Sequence, residues 1–315
     1  MTRPYEYAPT ATGIADAADV LRQGGTVAFP TETVYGLGAD ATNPKAVAAI
    51  YAAKGRPSFN PLIAHVATPD QARDFVHVPG MAEKLIAALW PGPLTLVLPL
   101  RDDAGLAQAV TAGLDTVAVR MPNHPLALDL LTALGRPLAA PSANPSGRIS
   151  PTTADHVRTG LHGRIDGLID GGPCTVGLES TIVAVTTDQV QILRPGSVTQ
   201  STLQTIVGQP VARPGATPSA IQAPGQMASH YAPGAPMRLN VTAPGPGEFM
   251  IGFGAVAGTI NLSAQGQLHM AAEHLFAALH QADASGQPIA VAPIPNTGIG
   301  VAINDRLMRA AAPKP

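Results

Sequence analysis

An α/β protein in two domains is what this sequence predicts, on three observations. Helix-like and strand-like segments alternate along the chain, one Pro/Gly-rich stretch without any period interrupts them, and 315 residues is about two domains at ~150 each. The hydrophobic share of 45% is that of a chain with a real core, and Gly and Pro together, about a fifth of the residues, stay below the share that marks low-complexity disorder.

The elements follow in order. A helical pattern from Ile14 to Arg22 stops at Gly24-Gly25, and the apolar run from Thr26 to Phe29 then reads as a strand. Asn43-Pro44 is a cap and first-turn pair for a helix to about Ala53, and 62–66 is strand-like. Met81 to Trp90 is helical, 94–100 and 117–120 are strands, and 126–134 is a helix before Pro137. Ser180 to Val185 and Val190 to Arg194, with Thr187-Asp188 between them, favour an antiparallel pair, so the sheet is expected to be mixed. The stretch Gln209 to Pro236 carries proline and glycine throughout and reads as a linker between a domain at 1–208 and a second at 237–315. Strands at 237–241, 248–253, 258–263 and 288–294, with helices from Gln267 to Ala282 and Gly300 to Ala311, make the latter a small α/β unit.

Charge narrows the function. Lys and Arg number 19 against 21 Asp and Glu, net −2, which lacks the basic excess that stable nucleic-acid binding needs. The lone Cys174 excludes an intrachain disulfide framework and a zinc site built on several thiolates. The stretch from Leu85 to Leu100 is cut by Pro91, Gly92, Pro93 and Pro99, so no membrane span is expected. The first residues, MTRPYEYAPTATG, carry no apolar run; no cleaved secretory signal is expected, and a cytoplasmic setting is the default.

Candidate chemistry gathers after strand ends. In PTETVYGLGAD, hydroxyls at Thr31, Thr33 and Tyr35 precede Gly36 and Gly38, where backbone can approach a ligand; the same residues would also make an ordinary polar turn. In KGRPSFNPL, Lys54 and Arg56 follow a helix end and precede Asn60. With only four lysines in the chain, this is a local concentration of cation, read as exposed and suited either to phosphate or to the helix C-terminal dipole. His65 lies inside a strand, where a hydrogen-bonded core role competes with a ligand role. Arg120 ends a strand, a position suited to a ligand or to an ion pair. PLAAPSANPSGRIS sets Ser142, Asn144, Ser146 and Ser150 in a fixed loop; they suit a nucleotide or an amino acid, while Ser142 and Asn144 would also close turns and Ser150-Pro151 would also start the helix of Thr152 to Thr159. Glu179, Ser180 and Thr181 in GLESTIV and Arg194 in ILRPG repeat the theme. His230 and Tyr231 sit in the linker as SHYAP, an odd place for two rings unless they dock on something. His269, His274 and His280 are scattered around one helix and do not suggest a metal site.

Taken together and in order, PTETVYGLGAD, KGRPSFNPL, PSANPSGRISPTTADHV, GLESTIV and ILRPG resemble the YrdC-like domain of the L-threonylcarbamoyladenylate synthases over the first 200 or so residues, with the Lys54-x-Arg56 and Ser142-x-Asn144 pairs as its signature. SHYAP and a closing AINDRLMRAAA look like the two-domain form. The resemblance implies a twisted mixed sheet followed by a Rossmann-like domain. It implies a nucleotidyltransferase that joins L-threonine, bicarbonate and ATP, with Mg2+ accompanying the ATP, into threonylcarbamoyl-AMP and pyrophosphate for threonylcarbamoyladenosine in tRNA, other proteins carrying the product onward. It would place threonine near Thr33, His65, Arg120, Ala140 and Ser180, and ATP near Arg56, Asn60, Thr116, Ser142, Asn144, Ser150 and Arg194. Lys54 and Arg56 would be the catalytic cations, and His230 and Tyr231 would close over the nucleotide. No carboxylate cluster identifies a metal site. A hydrogenase-maturation protein with a YrdC-like domain is disfavoured by the single cysteine, and an RNA-binding module is the remaining rival.

Overall fold

The protein is seen here as a computed structural model that describes residues 5–213 and 223–313. Strand β1 (Glu6–Tyr7) and helix α1 (Ala11–Arg22) lead into β2 (Val27–Phe29) and β3 (Gly36–Asp40), then α2 (Pro44–Lys54), β4 (Ile63–His65), α3 (Pro69–Arg73) and α4 (Gly80–Leu89). Next come β5 (Leu94–Pro99), α5 (Gln108–Thr111), β6 (Thr116–Arg120), α6 (Pro125–Leu134), β7 (Leu138–Ala139), α7 (Ala154–Leu161) and β8 (Gly167–Ile169). The antiparallel pair β9 (Thr181–Val185) and β10 (Val190–Arg194) and helix α8 (Gln200–Val207) end the first unit. The second holds β11 (Met237–Arg238), β12 (Phe249–Gly252), β13 (Ile260–Asn261), α9 (Leu268–Ala284), β14 (Ile289–Val291) and α10 (Gly300–Ala311).

Local chemistry explains the better-read elements. Asn43 caps α2 by accepting from the amides of Lys45 and Ala46, Pro44 opens the helix, and Gly55 ends it in the left-handed conformation at φ 61°. Thr153, not Ser150, caps α7, which begins at Ala154. The pair β9–β10 is antiparallel as its short turn requires.

The first unit is one ten-stranded mixed sheet in the order β1-β8-β2-β3-β7-β4-β6-β5-β9-β10, and the second a four-stranded parallel sheet in the order β11-β14-β12-β13. The segment GLGAD, expected as a loop that approaches a ligand, is instead the central strand β3. A side chain at Gly38 would meet the Phe29 ring at 2.9 Å and one at Gly36 would meet it at 3.2 Å, so both glycines make room for that ring. Strands β1 and β8 and helix α8 have no counterpart in the sequence reading.

The two units do not keep separate cores. The apolar cluster of α9, α10 and the small sheet also takes in Val34, Ile149 and Leu178 of the first unit and Tyr231 of the connecting stretch. At Gly177 a Cβ would lie 2.4 Å from the Glu273 carbonyl, so α9 sits directly on the loop before β9. Between α8 and β11 the described residues form isolated bridges only, Gln191 with Ala212 and Arg148 with Ala232. Residues 214–222, part of the expected linker and lid, lie outside the described residues.

Candidate active site

One edge of the large sheet collects the candidate residues because the strands that end or begin there carry them. His65 closes β4, Arg120 closes β6, and the two are paired in register. Ala140 follows β7, Ser180 precedes β9, and Arg194 ends β10, which runs back alongside β9. Thr31 and Thr33 cross from β2 to β3. Thr33, Arg56, His65, Arg120, Ala140, Ser142, Ser180, Arg194, His230 and Tyr231 all line one cavity of about 50 Å³. That is room for a water or two, whereas small-molecule sites run to roughly 300–1,000 Å³, so substrates require the walls to part.

The walls are charged and mostly buried. Arg120 is 4% exposed, donates through Nη1 to Thr33 Oγ1 at 2.9 Å and through Nε to the Gly92 carbonyl, and its Nη2 lies 2.6 Å from Glu32 Oε2. The Glu32 contact is a buried ion pair that fixes the Arg120 guanidinium at the cavity wall. Arg194 donates to the Ser180 carbonyl from Nε and Nη2 and to Ser180 Oγ, whose other neighbour is Thr95 Oγ1 at 2.7 Å. Arg56 donates to the carbonyls of Asn60 and Pro61. Burial pulls its guanidinium down to about 10, so it is charged at neutral pH. Burial, then the Arg120 charge, brings His65 to about 3, and its Nδ1 lies 3.2 Å from the Ile63 carbonyl. Burial likewise brings His230 to about 3.

Lys54 and Arg56 are corrected in one respect. Read as exposed, they are 3% and 9% exposed. Lys54 stands outside the cavity lining: its Nζ donates to the carbonyls of Ser142 and Asn144, and burial, then Arg56, holds its pKa well below the usual lysine range. It ties the end of α2 to the serine-rich loop. Asn144 donates to the carbonyls of Pro145 and Arg148 and tightens the same loop. Ser150 donates to Glu179 Oε1, and Asn60 Nδ2 approaches Met227 Sδ at 3.6 Å. Thr116 begins β6, whose alternate residues put it on the Arg120 face but away from the cavity lining.

His230 and Tyr231 do dock. The His230 amide donates to the Arg309 carbonyl of α10, Arg309 donates back to the Met227 carbonyl, and the Ala232 amide donates to Gly147. Tyr231 takes φ 62°, packs its ring 5.6 Å from Phe276 and faces the Arg306 guanidinium at 5.2 Å. The sequence reading missed Glu32, the partner of Arg120, and Arg306; each lay inside a quoted run, Glu32 in PTET and Arg306 in AINDRLMRAAA. Several other buried polar atoms around the cavity have no hydrogen-bond partner among the described residues: Asn60 Oδ1, Asn144 Oδ1, His230 Nδ1, the Tyr231 hydroxyl and Arg306 Nη2. Such groups are available to water or to a polar ligand. Burial pushes the Cys174 thiol up to about 12, which makes it a core residue and no nucleophile. No group of three or more potential metal ligands occurs among the described residues, and no helix among them is long and apolar enough to cross a membrane.

Comparison with known proteins fits this arrangement. A family model described as "Telomere recombination" matches residues 19–196, and one described as "Threonylcarbamoyl-AMP synthase, C-terminal domain" matches residues 198–312. A threonylcarbamoyl-AMP synthase of Bacillus subtilis is 43% identical over 95% of this chain and 92% of its own length. One of Pyrococcus abyssi is 38% identical over 94% and 93%. The crystal structure of P. abyssi Sua5 complexed with L-threonine superposes with a TM-score of 0.90 at 37% identity, covering 97% of this chain and 96% of that one.

Proposed function

The chain belongs to the threonylcarbamoyl-AMP synthase family, and from that premise we propose how its cavity makes threonylcarbamoyl-AMP from L-threonine, bicarbonate and ATP. The observation that carries the reading is the placement of three buried guanidiniums, Arg56, Arg120 and Arg194, around one cavity that also holds a serine-rich loop and two neutral histidines. A carboxylate and a triphosphate are the ligands such a wall suits.

Arg120, held by Glu32, takes the threonine carboxylate, and Thr33, His65, Ala140 and Ser180 shape the rest of that end. The threonine amine attacks bicarbonate, water leaves, and a carbamate forms. A carbamate oxygen then attacks the α-phosphorus, the bond to the β-phosphate breaks, and pyrophosphate departs. Arg56, Asn60, Ser142, Asn144, Ser150, Arg194, His230 and Tyr231 line or brace the nucleotide end, with Thr116 further along the same sheet face. Lys54 serves by holding the Ser142–Asn144 carbonyls. Positioning and charge neutralisation carry most of such phosphoryl chemistry, which agrees with walls rich in guanidinium and hydroxyl groups. Mg2+ enters as part of the ATP substrate, held by its phosphates, since Glu32 and Glu179 are each engaged by an arginine. The product goes to tRNA threonylcarbamoyl-transfer proteins in the cytoplasm.

Pyrophosphate release measured with each substrate omitted in turn tests the reading. Release should require threonine, bicarbonate and ATP together, and release at the full rate without threonine would overturn it.

A further inference from the structure

The last helix of the second domain sends one side chain toward the cavity without reaching it. Arg306 is fully buried, and its charge is costly there unless matched on several sides. Its Nε donates to Glu179 Oε2 at 2.8 Å, its Nη1 donates to Asp305 Oδ2 at 2.7 Å, and its guanidinium faces the Tyr231 ring. Glu179 and Tyr231 line the cavity, whereas Arg306 stands behind both. The other Glu179 oxygen accepts from Ser150, so a chain of contacts runs from α10 through the carboxylate to the serine loop. Burial alone would raise the Glu179 pKa, but Arg306 and Arg194 hold it lowered, so the carboxylate is ionised.

An ionised carboxylate in the wall of a triphosphate site works against the ligand. Resting on the nucleotide assignment above, we propose that Arg306 is a positioning residue that masks the Glu179 charge and holds that carboxylate against Ser150, so that the ATP end of the cavity accepts a polyanion only when the second domain is seated. None of its direct partners belongs to the threonine end, where Arg120 has its own counter-ion in Glu32. The seat itself is fixed. Gly177 lies against the backbone of α9, and His280 of α9 places Nε2 3.1 Å from the Ser150 carbonyl.

Initial rates of pyrophosphate release give KM for ATP and for threonine in three variants of the full chain. Arg306→Lys keeps the charge but loses the planar fork, so it should raise the ATP KM by only about three- to fivefold, less than Arg306→Met. Arg306→Met leaves Glu179 unmasked and should raise the ATP KM by about tenfold or more, the effect of roughly one partly screened charge beside a polyanion. Arg306→Met with Glu179→Gln removes both charges and should return it to within about threefold. Threonine KM should stay within about twofold throughout, a split that loosened packing would not produce. The masking role falls if Arg306→Lys is as impaired as Arg306→Met, if both KM values rise together, or if the double variant fails to recover. Where Arg306→Met does not fold, the remaining two decide: either one raising the ATP KM tenfold overturns the role. Ser150→Ala reads the nucleotide assignment by itself. A raised ATP KM there beside an unchanged one in Arg306→Met defeats the masking alone, whereas a raised threonine KM defeats the assignment on which it rests.

Discussion

The two ends of the cavity are built differently. The end proposed for threonine is strand termini of one sheet: His65 and Arg120 are paired in register on neighbouring strands, and the counter-ion Glu32 comes from a turn of the same domain. The end proposed for the nucleotide is assembled from the α2 cap, the serine loop, the connecting stretch and α10, with contacts that span 127 residues between Glu179 and Arg306 and 167 between Asn60 and Met227. The first end is held by the backbone ladder; the second also draws on the connecting stretch and on α10 of the second domain. Substitutions should therefore act locally at the threonine end and in a distributed way at the nucleotide end.

The largest effect is expected from Arg120→Met. It removes the carboxylate partner of threonine, and truncating one side of a buried charge pair costs 2–5 kcal/mol or more of binding, so threonine-dependent turnover should fall by about a thousandfold. It also leaves Glu32 buried and uncompensated, which should lower unfolding free energy by about 3–5 kcal/mol. Adding Glu32→Gln should restore most of the stability and none of the turnover. Denaturant unfolding beside threonine KM separates the two, and a double variant that regains activity would remove Arg120 from substrate binding. Arg120→Lys, which keeps charge without the planar fork, should weaken threonine more than ATP.

Next comes Arg56→Ala, with about a hundredfold less pyrophosphate release through loss of a charge-assisted phosphate contact. Because Arg56 is buried and satisfies the carbonyls of Asn60 and Pro61, it should also destabilise by about 1.5–3 kcal/mol, unlike the exposed cation that its sequence setting suggests. Unchanged release would sink the phosphate assignment, and an unchanged melting transition would show that those carbonyls find other donors.

The same contrast explains what could be read from the chain. Strand-end residues such as His65 and Arg120 sit in apolar runs that identify themselves, and the α2 cap was explicit in Asn43-Pro44 and Gly55. Strand β3 was hidden because GLGAD lacks the branched side chains that mark a strand; its glycines answer to the Phe29 ring, a neighbour only in the folded sheet. Helix α8 does carry a sequence signal, Thr199 as cap and Gly208 just past its end, where the structure has φ 76°. Arg306 lies within the quoted AINDRLMRAAA, but nothing in that run marks it as buried. On an amphipathic helix an arginine reads as solvent-facing, and only Glu179, far away in the chain, gives it a reason to be buried.

A smaller effect should follow Tyr231→Phe. The hydroxyl is buried without a hydrogen-bond partner, so its loss should leave stability unchanged within about 0.5 kcal/mol, the ring still packing on Phe276. If that hydroxyl is kept for the nucleotide, the ATP KM should rise by about three- to tenfold, the worth of one neutral hydrogen bond, with threonine KM unmoved. An unchanged ATP KM would mean the ring alone matters there.

The smallest effect on turnover is expected from titrating the histidines, one at each end. His65 and His230 are both held near 3 by burial, against about 6.5 in the unfolded chain, so neither ionises in the folded protein between pH 6 and 8. The pH–rate profile of His230→Gln should therefore keep the parent shape over that range, and a limb with an apparent pKa of 6–7 present only in the parent would refute the neutral assignment. Stability behaves otherwise. Between about pH 3 and 6.5 the unfolded chain binds protons that the folded one refuses, so the contribution is whole above 6.5 and is lost as pH falls, at about 1.4 kcal/mol per pH unit for each fully depressed histidine. His156, brought to about 4 by burial and then His280, adds to the same slope. Unfolding free energies measured at pH 7 and pH 5 should differ in this direction, and His230→Gln should reduce the difference by one histidine's share. An equal difference in parent and variant would show that His230 leaves its buried seat in the dominant state of the linker, and with it that the nucleotide end is open more often than closed.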